Sequence, residues 1–191
     1  MQKIIKHYRL VLLLLIFLVQ LAVPIYMIVE QRVILNEGKA YKFKTRPIDP
    51  YDPFRGRYVT LNFLADDATF FLQTQNQLKN GQKVYASLLT DDKGYAYISN
   101  VSIEKPESTH DFIRVEVLYH SLDHNYYIRL PFNRYYAPEK LAPEIEKAVW
   151  RRNNNQVEDV FALVKVYKGK SSLEELYINQ RPAIDFVKDN L

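Results

Sequence analysis

DPFRGRYVTLNF fills residues 52–63, and an altered echo of it, YYIRLPF, fills residues 126–132. In the first stretch Val59, Leu61 and Phe63 alternate with Tyr58, Thr60 and Asn62. Successive side chains of a strand point to opposite faces, so the apolar trio forms a core face and its neighbours an outward one. Upstream, RPIDPYDPF at 46–54 carries Pro47, Pro50 and Pro53. Proline fixes its own φ and biases the residue before it away from helix, so this piece must be extended and loop-like before Gly56 turns it into the strand.

The flanking segments extend the same pattern. KAYKFKTR at 39–46 alternates as a strand. Residues 66–79 open on Asp66-Asp67 and end before Asn80-Gly81, which predicts a short helix. Residues 83–90 and 95–104 alternate around Asp91-Asp92-Lys93-Gly94, the pattern of a β-hairpin. The second part of the chain repeats the plan with strands over 112–120 and 125–132, a helix near 138–152 and a final strand pair. The helix rests on Pro138 near its start, Glu139 and Glu144 early, and Ile145, Ala148 and Val149 at helical spacing before Arg151-Arg152.

Set side by side, the two parts agree in order. YVTLNF matches YIRLPF at the Tyr, a β-branched residue, the Leu and the Phe; Lys83-Val84-Tyr85-Ala86 parallels Asp159-Val160-Phe161-Ala162; Gly94 and Pro106 parallel Gly169 and Pro182. The expectation is an α+β chain: an N-terminal transmembrane helix, then a β-rich domain of two duplicated β-β-α-β-β halves at 39–107 and 108–191. Fifteen Tyr and ten Phe against five Gly favour pleated, half-buried surfaces.

The helix is LVLLLLIFLVQLAVPIYMIV, residues 10–29, free of formal charge and long enough to cross a bilayer. Its length exceeds a signal-peptide core, and Gln20-Leu21-Ala22 makes a poor cleavage site, so the reading is an uncleaved anchor. Lys3, Lys6 and Arg9 precede it, which puts 1–9 in the cytoplasm as a tail, 30–38 outside as a linker and the domain beyond; Lys39, Lys42, Lys44 and Arg46 argue the other way. The net charge of +4 comes from 26 basic and 22 acidic residues interspersed, the mark of a solvated surface. The absence of Cys excludes disulfides, a thiolate metal site and a cysteine nucleophile.

GRYVTLNF at 56–63, its proline-and-aspartate lead-in and NRYYAPEKLAPEIEKA at 133–148 resemble the GDYXXLXY family of bacterial membrane-anchored proteins. The motif positions are Gly56, Arg57, Tyr58, Leu61 and Phe63. Arg57 stands where the motif has aspartate, Phe63 where it has tyrosine, and Lys140 where a glycine often follows Pro-Glu. Arginine is neither a carboxylate base nor a metal ligand, so the motif reads as scaffold. The resemblance implies the bacterial inner membrane and, as partner, a multi-pass membrane protein.

Other constellations are thin. His120 and His124 with Asp123, or with His110-Asp111, are too few to define a metal site, and Ser121 lacks a nucleophile elbow. No phosphate loop or dinucleotide fingerprint occurs. The reading is therefore a non-enzymatic domain without cofactor or nucleic acid, held in membrane lipid by its N-terminal helix. Arg55, Arg57, Tyr58, Arg129, Arg134, Tyr135 and Tyr136 are its candidate partner-binding residues, since Arg and Tyr favour interfaces. The alternative is a groove between the halves that takes a small ligand or an anionic envelope polymer; a hydrolase built on His120, Asp123 and His124 ranks below both.

Overall fold

A computed structural model of the chain describes residues 2–46, 58–67, 70–71, 78–106, 111–120, 125–150 and 159–190. Its first element is α1 (Gln2–Glu37), which runs unbroken through Pro24. At 1.5 Å per residue this helix is about 54 Å long, more than the roughly 30 Å a hydrocarbon layer needs. The surplus is the segment expected as a linker at 30–38: its final turns pack on the domain, with Ile34 buried. Gly38 ends the helix by donating its N–H to the Ile34 carbonyl at 3.0 Å. An added Cβ there would collide with that carbonyl oxygen and sit 3.0 Å from Lys165 Cβ, so only glycine lets the helix turn this tightly into the sheet.

Twelve strands follow in the described residues: β1 (Lys39–Arg46), β2 (Tyr58–Thr60), β3 (Asn62–Phe63), β4 (Phe70–Phe71), β5 (Lys83–Thr90), β6 (Ala96–Ser102), β7 (Phe112–His120), β8 (Asn125–Arg129), β9 (Arg134–Tyr136), β10 (Val160–Tyr167), β11 (Lys170–Ile178) and β12 (Arg181–Pro182). Two helices join them, α2 (Ala142–Trp150) and α3 (Ala183–Lys188). One sheet has the order β12-β11-β10-β1-β3, the other β4-β8-β7-β5-β6, and β2 pairs with β9 as a separate ribbon. Every strand pair is antiparallel.

Each sheet draws strands from both sides of residue 107. β1 and β3 join β10–β12, whereas β7 and β8 join β5 and β6. The roles correspond: β1 lies between β3 and β10 as β7 lies between β8 and β5, and β11 flanks β10 as β6 flanks β5. Both hairpins turn on a glycine at positive φ, Gly94 at 83° and Gly169 at 82°. Both carry a register slip five residues later, which leaves Ser99 in one and Glu174 in the other without a cross-strand partner.

The predicted strand over 58–63 is real but divided. Leu61 interrupts it, with β2 on the ribbon and β3 on the edge of the first sheet. The alternation still holds, because Val59, Leu61 and Phe63 are all at most 1% exposed. In the echo the strand ends before Leu130 and runs into a turn, with Leu130 and Phe132 both buried. The helix expected over 66–79 is replaced by a single 3-10 turn at Leu64–Asp67 and then β4; the remainder of that expectation lies outside the described residues. Phe70 and Phe71, with β-forming aromatic side chains, join the edge of the second sheet against β8 instead of extending a helix. The helix near 138–152 begins later, at Ala142, after a turn in which Leu141 and Ala142 donate to the Pro138 carbonyl. α2 packs on β2, and α3, which the sequence reading lacked, packs on α2 and β11.

At the centre Phe43, Phe63 and Phe132 meet as a triangle, with ring centroids 6.0, 4.9 and 5.3 Å apart. Beside it the Asp66 carboxylate accepts the Phe63 N–H at 2.9 Å and the Leu130 N–H at 3.4 Å, which ties the motif segment to its echo. Removing a buried aromatic ring costs about 3–5 kcal/mol. Phe132→Ala should therefore lower the unfolding free energy of the full chain by about that amount in a chemical denaturation series, whereas Leu64→Ala, on an exposed side chain, should change it by less than about 0.5 kcal/mol.

Candidate functional site

The β2–β9 ribbon sorts the candidate residues by parity. Its register sets Tyr58 opposite Tyr136, Val59 opposite Tyr135 and Thr60 opposite Arg134, and directly opposed residues share a face. Val59 faces the core, so Tyr135 must do so too. It is 5% exposed, and its hydroxyl donates to Glu175 Oε1 at 2.6 Å. Tyr135 is thus removed from the surface set. Burial, reinforced by the Glu175 carboxylate, holds the Tyr135 phenol well above its ordinary range, so it stays a neutral donor.

The opposite parity makes an outward cluster. The rings of Tyr58 and Tyr136 lie 5.9 Å apart, and the Arg134 guanidinium stands 5.0 Å over Tyr58. Tyr136 is 68% exposed. Such exposure of a large ring that already packs on a neighbour leaves one apolar face for another molecule. The cluster borders a cleft of about 380 Å³ lined by Gln31, the turn at 131–134 and the start of β11. Gln31, just past the apolar run, donates its side-chain amide to Ser172 Oγ. Ser171 Oγ, in the same wall, is buried and has no partner among the described residues. The outward cluster therefore sits beside the end of the helix's apolar run.

Arg129 lies apart from this cluster. With Arg46, Asn62, Asp66, Tyr127 and Asn133 it lines a second cleft, of about 360 Å³, where the first sheet's edge meets β8. Arg55, Gly56 and Arg57 lie outside the described residues, as do His110, Asp123 and His124; His120 ends β7. Among the described residues no three of His, Asp and Glu gather as metal ligands.

Asp111, considered as a metal ligand, is engaged elsewhere. Its Oδ2 accepts from the Tyr41 hydroxyl at 2.5 Å and from Lys39 Nζ at 2.9 Å, which clips β1 to the entry of β7. The Tyr41 hydrogen bond, then that of Lys39, holds the Asp111 carboxyl below its ordinary range, while the same bond to Asp111 raises Lys39. Gln31, Ser171, Arg46 and this clip were missed by the sequence reading; each belongs to an element whose pattern speaks of anchoring or strand formation, and only the register brings them together.

The GDYXXLXY protein family matches residues 20–176, from the second half of the apolar run to the end region of β11. The chain belongs to the GDYXXLXY family. No curated protein and no solved structure shows significant similarity to it. Of the family motif, Leu61 and Phe63 are core residues and Tyr58 belongs to the outward cluster.

The Asp111 clip has a pH signature. A carboxyl depressed in the folded state adds stability that is complete above its unfolded pKa of about 3.9 and is lost as pH falls through the lower folded value. Asp111→Asn should abolish that part of the acid limb: its stability relative to the native chain should be lowest near neutrality and converge on it once pH has fallen through the lowered range of the folded carboxyl, read as thermal midpoints across a pH series.

Proposed function

We propose that the protein is a single-pass anchored domain, outside the cytoplasm, that binds a multi-pass protein of the bacterial inner membrane through Tyr58, Arg134 and Tyr136. The helix supports the anchoring part: residues Val11 through Val19 are 46–66% exposed, as lipid-facing side chains are, and the candidate span has a hydropathy of 2.7. The charges at Lys3, Lys6 and Arg9 favour a cytoplasmic N-terminus. The observation that carries the binding reading is the position of the Tyr58–Arg134–Tyr136 cluster beside Gln31 at the helix exit, within reach of whatever packs against the helix. Aromatic and Arg side chains are the usual anchors of such contacts. No catalytic chemistry is invoked. The corresponding strand roles and matched hairpin slips also lead us to infer that the two halves are copies of one unit with exchanged strands.

A photoreactive residue at Tyr136 in the full chain, irradiated in cells, should capture one membrane protein, and Arg134→Glu should remove that adduct without a change in thermal midpoint. Capture of lipid alone, or of many proteins equally, would sink the idea.

A second reading rests on the other cleft, where Arg46 and Arg129 line one cavity with Asn62, Asn133 and Asp66, whose carboxylate accepts the Phe63 and Leu130 N–H groups. Two guanidinium groups with amide donors suit an anionic envelope polymer. Polyphosphate should then raise the thermal midpoint of the full chain in detergent, and Arg129→Ala should remove most of the rise; an unchanged midpoint in the native chain would refute it.

A further inference from the structure

Where α1 leaves its apolar run, a cavity of about 290 Å³ opens between the helix and the β10–β11 turn, lined by Tyr26, Val29, Val33, Tyr167, Lys168 and Lys170 with Glu30 and Ile34. Lys170 is ion-paired with Glu30, which fixes the turn at the height of that helix residue. Twenty apolar residues span about 30 Å, so Glu30 marks the edge of the hydrocarbon layer and the turn lies level with lipid headgroups. The lining has the composition of that boundary: Tyr26 and Val29 lie on the hydrocarbon side of Glu30, Val33 lies just beyond it, and Tyr167, Lys168 and Lys170 come from the turn.

Further positive charge collects at the turn. Lys168 is exposed, its Nζ 4.9 Å from the Tyr167 ring centroid. The Arg114 backbone N–H donates to the Gly169 carbonyl at 3.0 Å, its guanidinium stands 5.8 Å over the Tyr85 ring and within electrostatic range of Lys170, and Lys105 stands over Phe112, the ring against Gly169. Glu30 is the one carboxylate among the described lining residues.

We infer that the β10–β11 turn is a docking surface for an anionic phospholipid, whose phosphate meets Lys168 and Arg114 beside the Glu30–Lys170 pair while its upper acyl chain lies on Tyr26 and Val29. An uncharged apolar occupant leaves Lys168 without a counter-charge, and a soluble anion leaves Tyr26 and Val29 wet; a lipid satisfies both. The docking rests on α1 crossing a bilayer, and the test reads that separately.

The full chain is reconstituted into nanodiscs of phosphatidylcholine with phosphatidylglycerol, released, and the retained lipids are counted by native mass spectrometry. The native chain should keep phosphatidylglycerol in preference to phosphatidylcholine. Each surface cation is worth about a fivefold preference, so Lys168→Glu with Arg114→Glu should reduce it at least about tenfold. Lys168→Asn removes one charge and suits the φ of 49° at this position, so a loss there is not backbone strain. Lys93→Glu, in the turn of the other hairpin, should leave the preference intact. A chain that enters nanodiscs but shows no preference, or that loses it equally with Lys93→Glu, overturns the docking surface alone. A chain that fails to enter nanodiscs overturns the membrane crossing and the docking together.

Discussion

The contact of Phe43, Phe63 and Phe132 is the constraint from which the rest of the arrangement follows. Phe43 belongs to β1 of one sheet, Phe63 to the edge strand beside it, and Phe132 to the turn that leaves the other sheet. The rings take tilted and edge-on arrangements, the geometry that aromatic quadrupoles prefer. Because the three come from distant parts of the chain, they hold both sheets and the ribbon in one core. Asp66 completes the join by accepting backbone N–H groups from both segments, donors that would otherwise lie unpaired near the core.

A divided strand makes this possible. If residues 58–63 paired along a single neighbour, their outward side chains would line one continuous sheet. The break at Leu61 lets the first three residues pair with β9 and the last two with β1, with the Leu61 N–H taken up by the Asn133 carbonyl at 2.9 Å. The ribbon thereby stands off from the two larger sheets with its own outward face, while strict alternation keeps Val59 and Tyr135 inside.

How much of this could be read from the sequence divides along range of interaction. Local periodicity located β1, β5, β7 and the hairpin around Gly94 because each buries one face and repeats with period two. The apolar run announced α1, and the family motif was recognisable from the residues that fill the core. Pairing partners were not legible: nothing in residues 39–46 says that they lie against 161–166 rather than a nearer strand. Tyr135 was misplaced for that reason, since Arg134, Tyr135 and Tyr136 look alike as interface residues until the register with β2 separates them. The end of α1 was misplaced too, because polar Glu30 and Gln31 read as the start of a linker, while their partners Lys170 and Ser172 lie far along the chain.

These long-range contacts join into a continuous path from the outward cluster to the apolar helix. Tyr135 sits between Arg134 and Tyr136 and bonds Glu175; Glu175 and Ser172 share β11; Ser172 accepts from Gln31 on α1. A second brace, Lys170 with Glu30, holds the same strand to the same helix. The domain is thus no tethered body free to swing on a flexible linker, because its penultimate strand grips the last turns of the helix at two levels. The outward face keeps a set height and direction relative to that helix. The motif acts through this geometry: Leu61 and Phe63 fasten the ribbon to the core, and the ribbon in turn presents Tyr58.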